Sequence, residues 1–478
     1  MNTAQKITAN TSWYLLALTV QKFLSFAYFI ILARFLEPAN YGQYQLSINF
    51  ALMLSVIADL GLSSVLIRET AKKIIDPEKL FKQVFSLKII LGLLTLLVIF
   101  LGNIFLYAHN PVQPLIYVTA LVVIIDSFTL LFYGFIRGQQ NLRYESIGTI
   151  IFQFIILILG LALMQFSRNP LYFVLVILFA SLFNFLYSLI LLQKKYHLKL
   201  TWYFEKSLAK SIFIIAWPFA LSAIFAKIYA YIDGVILEYL HGAASLGVYS
   251  VAYKITFAFQ FIPLAFVAAL YPAFANYWQN DKVQLEKTLL RAINYLAYIS
   301  LPIAAGIIAL APFIVSDLYD NNYNNAITPL QILVVSLPFL FMNFALSYFL
   351  NATDRQKINT WNLGLVMLLN IILNFIFIPR WSAWGASLAS SISTVVLFSL
   401  NLIAVYKVVV ISWKNWLPLA RAILAAVLMA VLVALLANFL NIWLDIIFGS
   451  LVYFILLVIF RNLKIEDYRY LRSALKRN

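Results

Sequence analysis

From residue 12 almost to residue 461 the chain repeats one device, an apolar run of about twenty residues closed off by a short polar connection. At 1.5 Å per residue, about twenty residues cover roughly 30 Å of hydrocarbon. Lipid offers no partner for backbone N–H and C=O groups, so runs of this length specify membrane-crossing helices. Composition agrees. Of the 478 residues 64% are hydrophobic and only 11% charged, against about half and about a quarter in ordinary globular domains.

The runs predict fourteen helices, at 12–36, 42–68, 84–107, 114–136, 146–166, 170–192, 212–237, 247–275, 291–311, 327–350, 359–378, 383–406, 418–439 and 441–461. The fold class expected is therefore an all-α polytopic membrane protein. The first run follows a short polar head and has no small-residue cleavage site, so it is expected to stay as a helix.

An even number of crossings puts both termini on one side. Of the 34 Lys and Arg, only Arg34, Arg168 and Arg380 fall in connections on the opposite side, and only Lys22, Lys227 and Lys254 lie deep within predicted helices. The rest flank the termini's side, which the positive-inside rule makes cytoplasmic. This asymmetry accounts for the formal charge of +16 without nucleic acid, because the basic residues are spread over short connections and form no stripe. Membrane lipids are the partners it implies. The chain has no Cys, and its three His (His109, His197, His241) lie far apart in predicted loops. Disulfides, thiolate metal sites and cysteine catalysis are excluded, and no cofactor is expected beyond a coupling H⁺ or Na⁺.

Sliding the sequence against itself by 205 residues sets Lys22 on Lys227, Gly42 on Gly247 and Tyr44 on Tyr249 without a gap. These matches fall in helices of the same direction and predict a parallel repeat of two pseudo-symmetric six-helix bundles, 1–200 and 201–410, with 411–478 adding two helices and a cytoplasmic tail. A mid-helix lysine is rare, so its recurrence at one place in both halves is the most informative match.

Charges inside a membrane are costly, about 2.5–3.5 kcal/mol each at a helix centre, and so point to function or pairing. Lys22 and Lys227 fall near mid-span, where neither head-group layer is in easy reach, and suit an anionic substrate in a central cavity. Lys254 and Asp233 lie near outer helix ends and fit either an ion pair or a part in transport. Asp126, mid-helix, is the better carboxylate for taking up H⁺ or Na⁺. Asp59, two residues before Gly61, fits ion coupling or local backbone satisfaction. Arg68 and Arg291 stand at the cytoplasmic mouth as interfacial anchors or as phosphate contacts. Pro218, Pro263, Pro302 and Pro338 lie inside predicted helices and should kink them.

The stretches ILARFLEPANYGQYQLSINFALMLSVIADLGLSSVLIRE (31–69), YIDGVILEYLHGAASLGVYSVAYKI (231–255) and LNATDRQKINTWNLGLVMLLNIILNFIFIPRWSAWGASLAS (350–390) resemble Wzx-type polysaccharide flippases of the multidrug, oligosaccharidyl-lipid and polysaccharide exporter superfamily. The third is the most specific, with Asn370, Asn374, Pro379, Gly385 and Ala386 in the family's positions, and Ser382 where glycine is usual. The resemblance implies paired six-helix bundles that carry an undecaprenyl-diphosphate-linked oligosaccharide from the cytoplasmic to the periplasmic leaflet of the bacterial inner membrane, for O-antigen, capsule or exopolysaccharide. It implies a cationic cavity at Lys22, Lys227 and Lys254, and partners among other polysaccharide-assembly membrane proteins.

No GxxxxGK[ST] loop is present, so an ion gradient rather than ATP hydrolysis by this chain would supply the work. Two rivals remain: a multidrug or metabolite cation antiporter of the same fold, which an excess of lysines over carboxylates disfavours, and a membrane glycan polymerase or ligase. The second would need a large outer loop rich in catalytic groups, and residues 312–326 offer only Asp317 and Asp320.

Overall fold

The computed structural model describes the backbone of residues 3–72, 75–409, 416–437 and 441–462, and side chains at Ala17 and from Thr19 onward. The tail from 463 and the end of the thirteenth expected helix at 438–439 lie outside the described residues. The regular structure among those residues is all helical, with ten helices long and apolar enough to cross a membrane and an eleventh span formed by a bent pair.

Three of the long helices are hairpins. Thr3–Leu54 turns at Glu37, Lys206–Phe257 at Gly242 and Gln356–Tyr406 at Ser382. In an unbroken helix residues twelve apart are about 18 Å distant, yet the rings of Phe29 and Tyr41 lie 5.3 Å apart, centroid to centroid. Likewise the Tyr249 hydroxyl reaches Asp233, sixteen residues back, at 3.0 Å. A Cβ on Gly385 would come within 2.8 Å of Ile378 N. Each reversal falls in a connection that the sequence pattern predicts.

Several helices begin earlier than their apolar runs. Pro77–Tyr107 is capped by Asp76, whose carboxylate accepts from the backbone of Glu78 and Lys79, with Pro77 in the first turn. Lys282–Tyr319 is capped by Asp281 through Gln284 N. Apolarity marks where lipid begins, whereas a side-chain cap marks where the helix begins.

The second expected helix is broken at 55–61, where Leu60 and Gly61 both take positive φ, before Leu62–Lys72 resumes. Gly61 (φ +78) is required twice over, because a Cβ there would also meet Ala216 O at 2.9 Å. The Ser127 hydroxyl donates to the freed Ala58 carbonyl at 3.3 Å. The eighth expected helix is interrupted at Ala258–Gln260, and the 205-residue shift carries Ser55 onto Gln260. Among the prolines, Pro338 follows a 41° bend between 334 and 337, and Pro263 follows the Ala258–Gln260 interruption. Pro218 and Pro302 lie within continuous helices.

Contacts divide the chain into two compact units, Met1–Val251 with Leu363–Ala386, and Ala252–Asn362 with Ser387–Asn478. In the first, Gln113–Gly138 packs along Pro170–Tyr196, around a core that includes Leu66, Phe81, Val84, Phe132 and Phe135. In the second, Leu417–Leu436 lies along Lys282–Tyr319, with small Ala422, Ala425 and Ala426 buried beside Leu310 and Met429. Small residues let membrane helices approach where no hydrophobic force drives them together. The fully buried Asn401 amide is a polar hub of this unit, donating to Asn343 at 2.8 Å and Asn359 at 3.2 Å and accepting from Asn362 at 2.8 Å.

In the first unit the connection ending at Glu205 is strapped to the start of Pro77–Tyr107. Tyr203 N donates to Ser86 at 2.9 Å, Glu205 N to Gln83 at 2.7 Å, and Lys79 pairs with the Glu205 carboxylate at 2.9 Å. Hydrogen bonds from Lys79, then Ser207 and Tyr203, hold the Glu205 carboxyl at about 2, below its ordinary 4.5. A depressed carboxyl stabilises the fold fully above its ordinary value, and that contribution is lost as pH falls toward the depressed one. Glu205→Gln should therefore speed amide exchange at residues 203 and 205 at neutral pH, whereas the parent should converge on the variant as pH falls from about 4.5 to about 2.

Candidate functional site

The first unit holds two buried polar centres. At the break in the second expected helix, Lys88 Nζ lies 2.6 Å from Asp59 Oδ1 and donates to Ser63 Oγ at 3.1 Å, while Ser63 bonds Asp59 through its hydroxyl and its backbone N–H. Lys88 is 0% exposed. The sequence reading counts Lys88 with the cytoplasmic flank and so misses it. Its position, eleven residues inside the observed helix start at Pro77, is the signal that could have revealed it.

The second centre is at Asp233. One carboxylate oxygen accepts from the Tyr249 hydroxyl at 3.0 Å and the other from the Asn374 amide at 2.7 Å, which also donates to Asn370 Oδ1 at 3.1 Å. All four side chains are buried. Asn374 Oδ1 and Asn370 Nδ2 have no hydrogen-bond partner among the described residues. A second tie between the same helices joins the His241 ring to the Ile378 carbonyl at 2.8 Å. Asn370 and Asn374 sit one helical turn apart, which aims both amides at one spot.

The remaining predicted residues are more dispersed. Asp126 is half-buried and faces Ser181. Lys22 is exposed and Lys227 half-buried, with its ammonium 5.5 Å from the centre of the Tyr231 ring. Neither lysine has a carboxylate partner among the described residues. Arg68, half-exposed, lies 3.5 Å from the neighbouring Glu69. Lys254 and Arg291 are exposed and belong to the second unit. Chemically, two mid-span cations with no anion beside them suit an anionic ligand, and the Asp233 carboxylate with an unsatisfied amide oxygen suits a proton or a small hard cation.

A family model described as polysaccharide biosynthesis protein matches residues 7–278, and one described as MatE matches 218–376. The capsular polysaccharide biosynthesis protein CapF of Staphylococcus aureus is 24% identical over 388 residues, covering 80% of this chain and 95% of CapF. The fold is that of lipid II flippase MurJ in an inward closed conformation, with TM-score 0.77 and 18% identity over 94% of this chain and 98% of MurJ. An inward-facing multidrug transporter of the MATE family gives TM-score 0.69 and 16% identity over 80% of this chain and 93% of that one. Because the first model takes in more than half of the sequence, from Lys22 through Asp59, Lys88 and Asp126 to Lys227 and Asp233, the chain belongs to the polysaccharide biosynthesis protein family.

Proposed function

We propose that the protein carries an undecaprenyl-diphosphate-linked oligosaccharide from the cytoplasmic to the periplasmic leaflet of a bacterial inner membrane, by alternating access driven by an ion gradient. The observation that carries this reading is the pair Lys22 and Lys227, repeat-equivalent, mid-span and without carboxylate partners among the described residues. Two such cations would hold a diphosphate while the polyprenyl tail stays in lipid. The similarity to CapF, a capsular polysaccharide biosynthesis protein, and to MurJ, a lipid II flippase, supports a lipid-linked glycan as cargo.

In this scheme residues 1–200 and 201–410 form the two transport bundles, 411–478 is accessory, and both termini are cytoplasmic by the distribution of Lys and Arg. Lys254 adds to the cationic lining, and Arg68 and Arg291 draw the diphosphate to the mouth. Asp233 takes the coupling ion, with Asp126 as a second titrating group. Asp59, neutralised by Lys88, is assigned a structural role instead. Cargo is handed on to other polysaccharide-assembly proteins of the membrane.

The test is leaflet exposure of an undecaprenyl-diphosphate-linked glycan in proteoliposomes. A hydrogen bond to a charged group is worth about 1.5–3 kcal/mol, so Lys22→Ala or Lys227→Ala should slow flipping roughly ten- to hundredfold. Folding should be unchanged, since neither side chain is fully buried. No flipping by the intact protein, with export of a soluble organic cation instead, would overturn the reading in favour of the antiporter that the MatE match suggests.

A further inference from the structure

Gly42 and Gly247 are equivalent under the 205-residue shift, and so are Pro38 and Ala243. A Cβ built on Gly42 would overlap the Ala243 carbonyl oxygen and stand 3.1 Å from Ala243 Cα. One built on Gly247 would overlap the Pro38 carbonyl oxygen and stand 3.0 Å from Pro38 Cα. Each glycine therefore presses on the repeat-mate of the other glycine's partner. Such reciprocity is what a two-fold relation between the halves demands, residue i touching j while the mate of i touches the mate of j. All four residues belong to one compact unit.

Neither glycine has positive φ, so no turn requires it. Both are buried, and what the missing side chain permits is direct approach of backbone to backbone. The contact lies beside the reversals at Glu37 and Gly242, the outer ends of two helix hairpins in the orientation proposed above.

We propose that the reciprocal contact of Gly42 with Ala243 and of Gly247 with Pro38 is the outer latch of the transport path, closed here and parted in the state that releases cargo outward. The proposal rests on the alternating-access reading and its orientation. Only glycine allows full closure. Valine at either position holds the hairpin ends apart, and the repeat predicts similar effects from both sites.

The chain has no native cysteine, which makes thiol chemistry a direct test in the full-length protein in spheroplasts. Lys22→Cys serves as the probe, labelled from outside with a membrane-impermeant maleimide. Gly42→Val and Gly247→Val should each raise labelling several-fold; equal labelling in parent and variants would overturn the latch. A second measurement keeps both glycines. Pro38→Cys with Ala243→Cys, bridged by a short bis-methanethiosulfonate that joins the two thiols through disulfides with loss of methanesulfinate, should suppress outside labelling of an added Lys22→Cys and, in a protein that keeps Lys22, stop glycan flipping in proteoliposomes until reductant is added. Flipping or labelling that persists in the bridged protein overturns the proposal. If no lipid-linked glycan is flipped at all, the cargo assignment fails while the labelling arms still decide on the latch.

Discussion

Replacing Lys88 by Met is expected to destabilise the protein by about 3–5 kcal/mol, the cost of leaving a buried charge without its partner. Lys88 is fully buried, and among the described residues its ammonium is bound by Asp59 and Ser63. Methionine fills the space of the lysine stem but returns no hydrogen bond to the Asp59 carboxylate. The repeat supplies a control. Asp59 and Lys88 correspond under the 205-residue shift to Leu264 and Ile293, so the same fold accepts an apolar pair at these positions in its other half. The joint change Asp59→Leu with Lys88→Ile should recover most of the loss, because no charge is then taken out of water. Thermal unfolding in lipid nanodiscs for the parent, both single variants and the joint variant gives the coupling energy. A Lys88→Met protein as stable as the parent would mean that the pair holds nothing together.

Hydrocarbon thickness leaves a plain mark on sequence, and so the approximate positions of the spans were readable, as were the sharp reversals near Glu37, Gly242 and Ser382 that fall between runs. The starts of helices were less so, because an Asp76 or Asp281 cap lies outside the apolar pattern that defines the run. The break at 55–61 carries no proline, and its one local signal, Gly61 two residues after Asp59, reads equally well as an ordinary membrane-helix glycine. Lys88 was illegible for a different reason. Its partner is 29 residues away, and its place near the inner end of an apolar run allows snorkelling as readily as burial. Asp233 stood out as a charge in a span, but its bond to Asn374 crosses 141 positions, beyond any helical spacing. The family resemblance had singled out Asn370 and Asn374 without saying what they touch. Lys22 and Lys227 were singled out because two weak signals, a mid-span charge and an internal repeat, fall on the same residues.

Asp233→Asn is expected to leave the protein folded and flipping, yet deaf to the ion gradient. The asparagine keeps an acceptor for Tyr249 or Asn374 and differs little in volume, so the cost to stability should be about 1 kcal/mol, that of one hydrogen bond. What disappears is the negative charge that makes a cluster of amide oxygens attractive to Na⁺ or a proton. A membrane potential of about 100 mV is worth ~2.3 kcal/mol per charge moved, roughly fortyfold in an equilibrium, and that bias is what the substitution removes. Initial flipping rates in proteoliposomes, with and without imposed Na⁺ and H⁺ gradients, should differ strongly for the parent and coincide for Asp233→Asn. Asp233→Leu provides the contrast, since it removes the shared acceptor of the Tyr249 hydroxyl and the Asn374 amide from a buried site and should lower stability by more than Asp233→Asn, about 1–3 kcal/mol. If Asp233→Asn keeps the full gradient response while Asp126→Asn loses it, the coupling site belongs at Asp126 beside Ser181, and the cluster at Asp233 serves to hold the seventh and eleventh segments together.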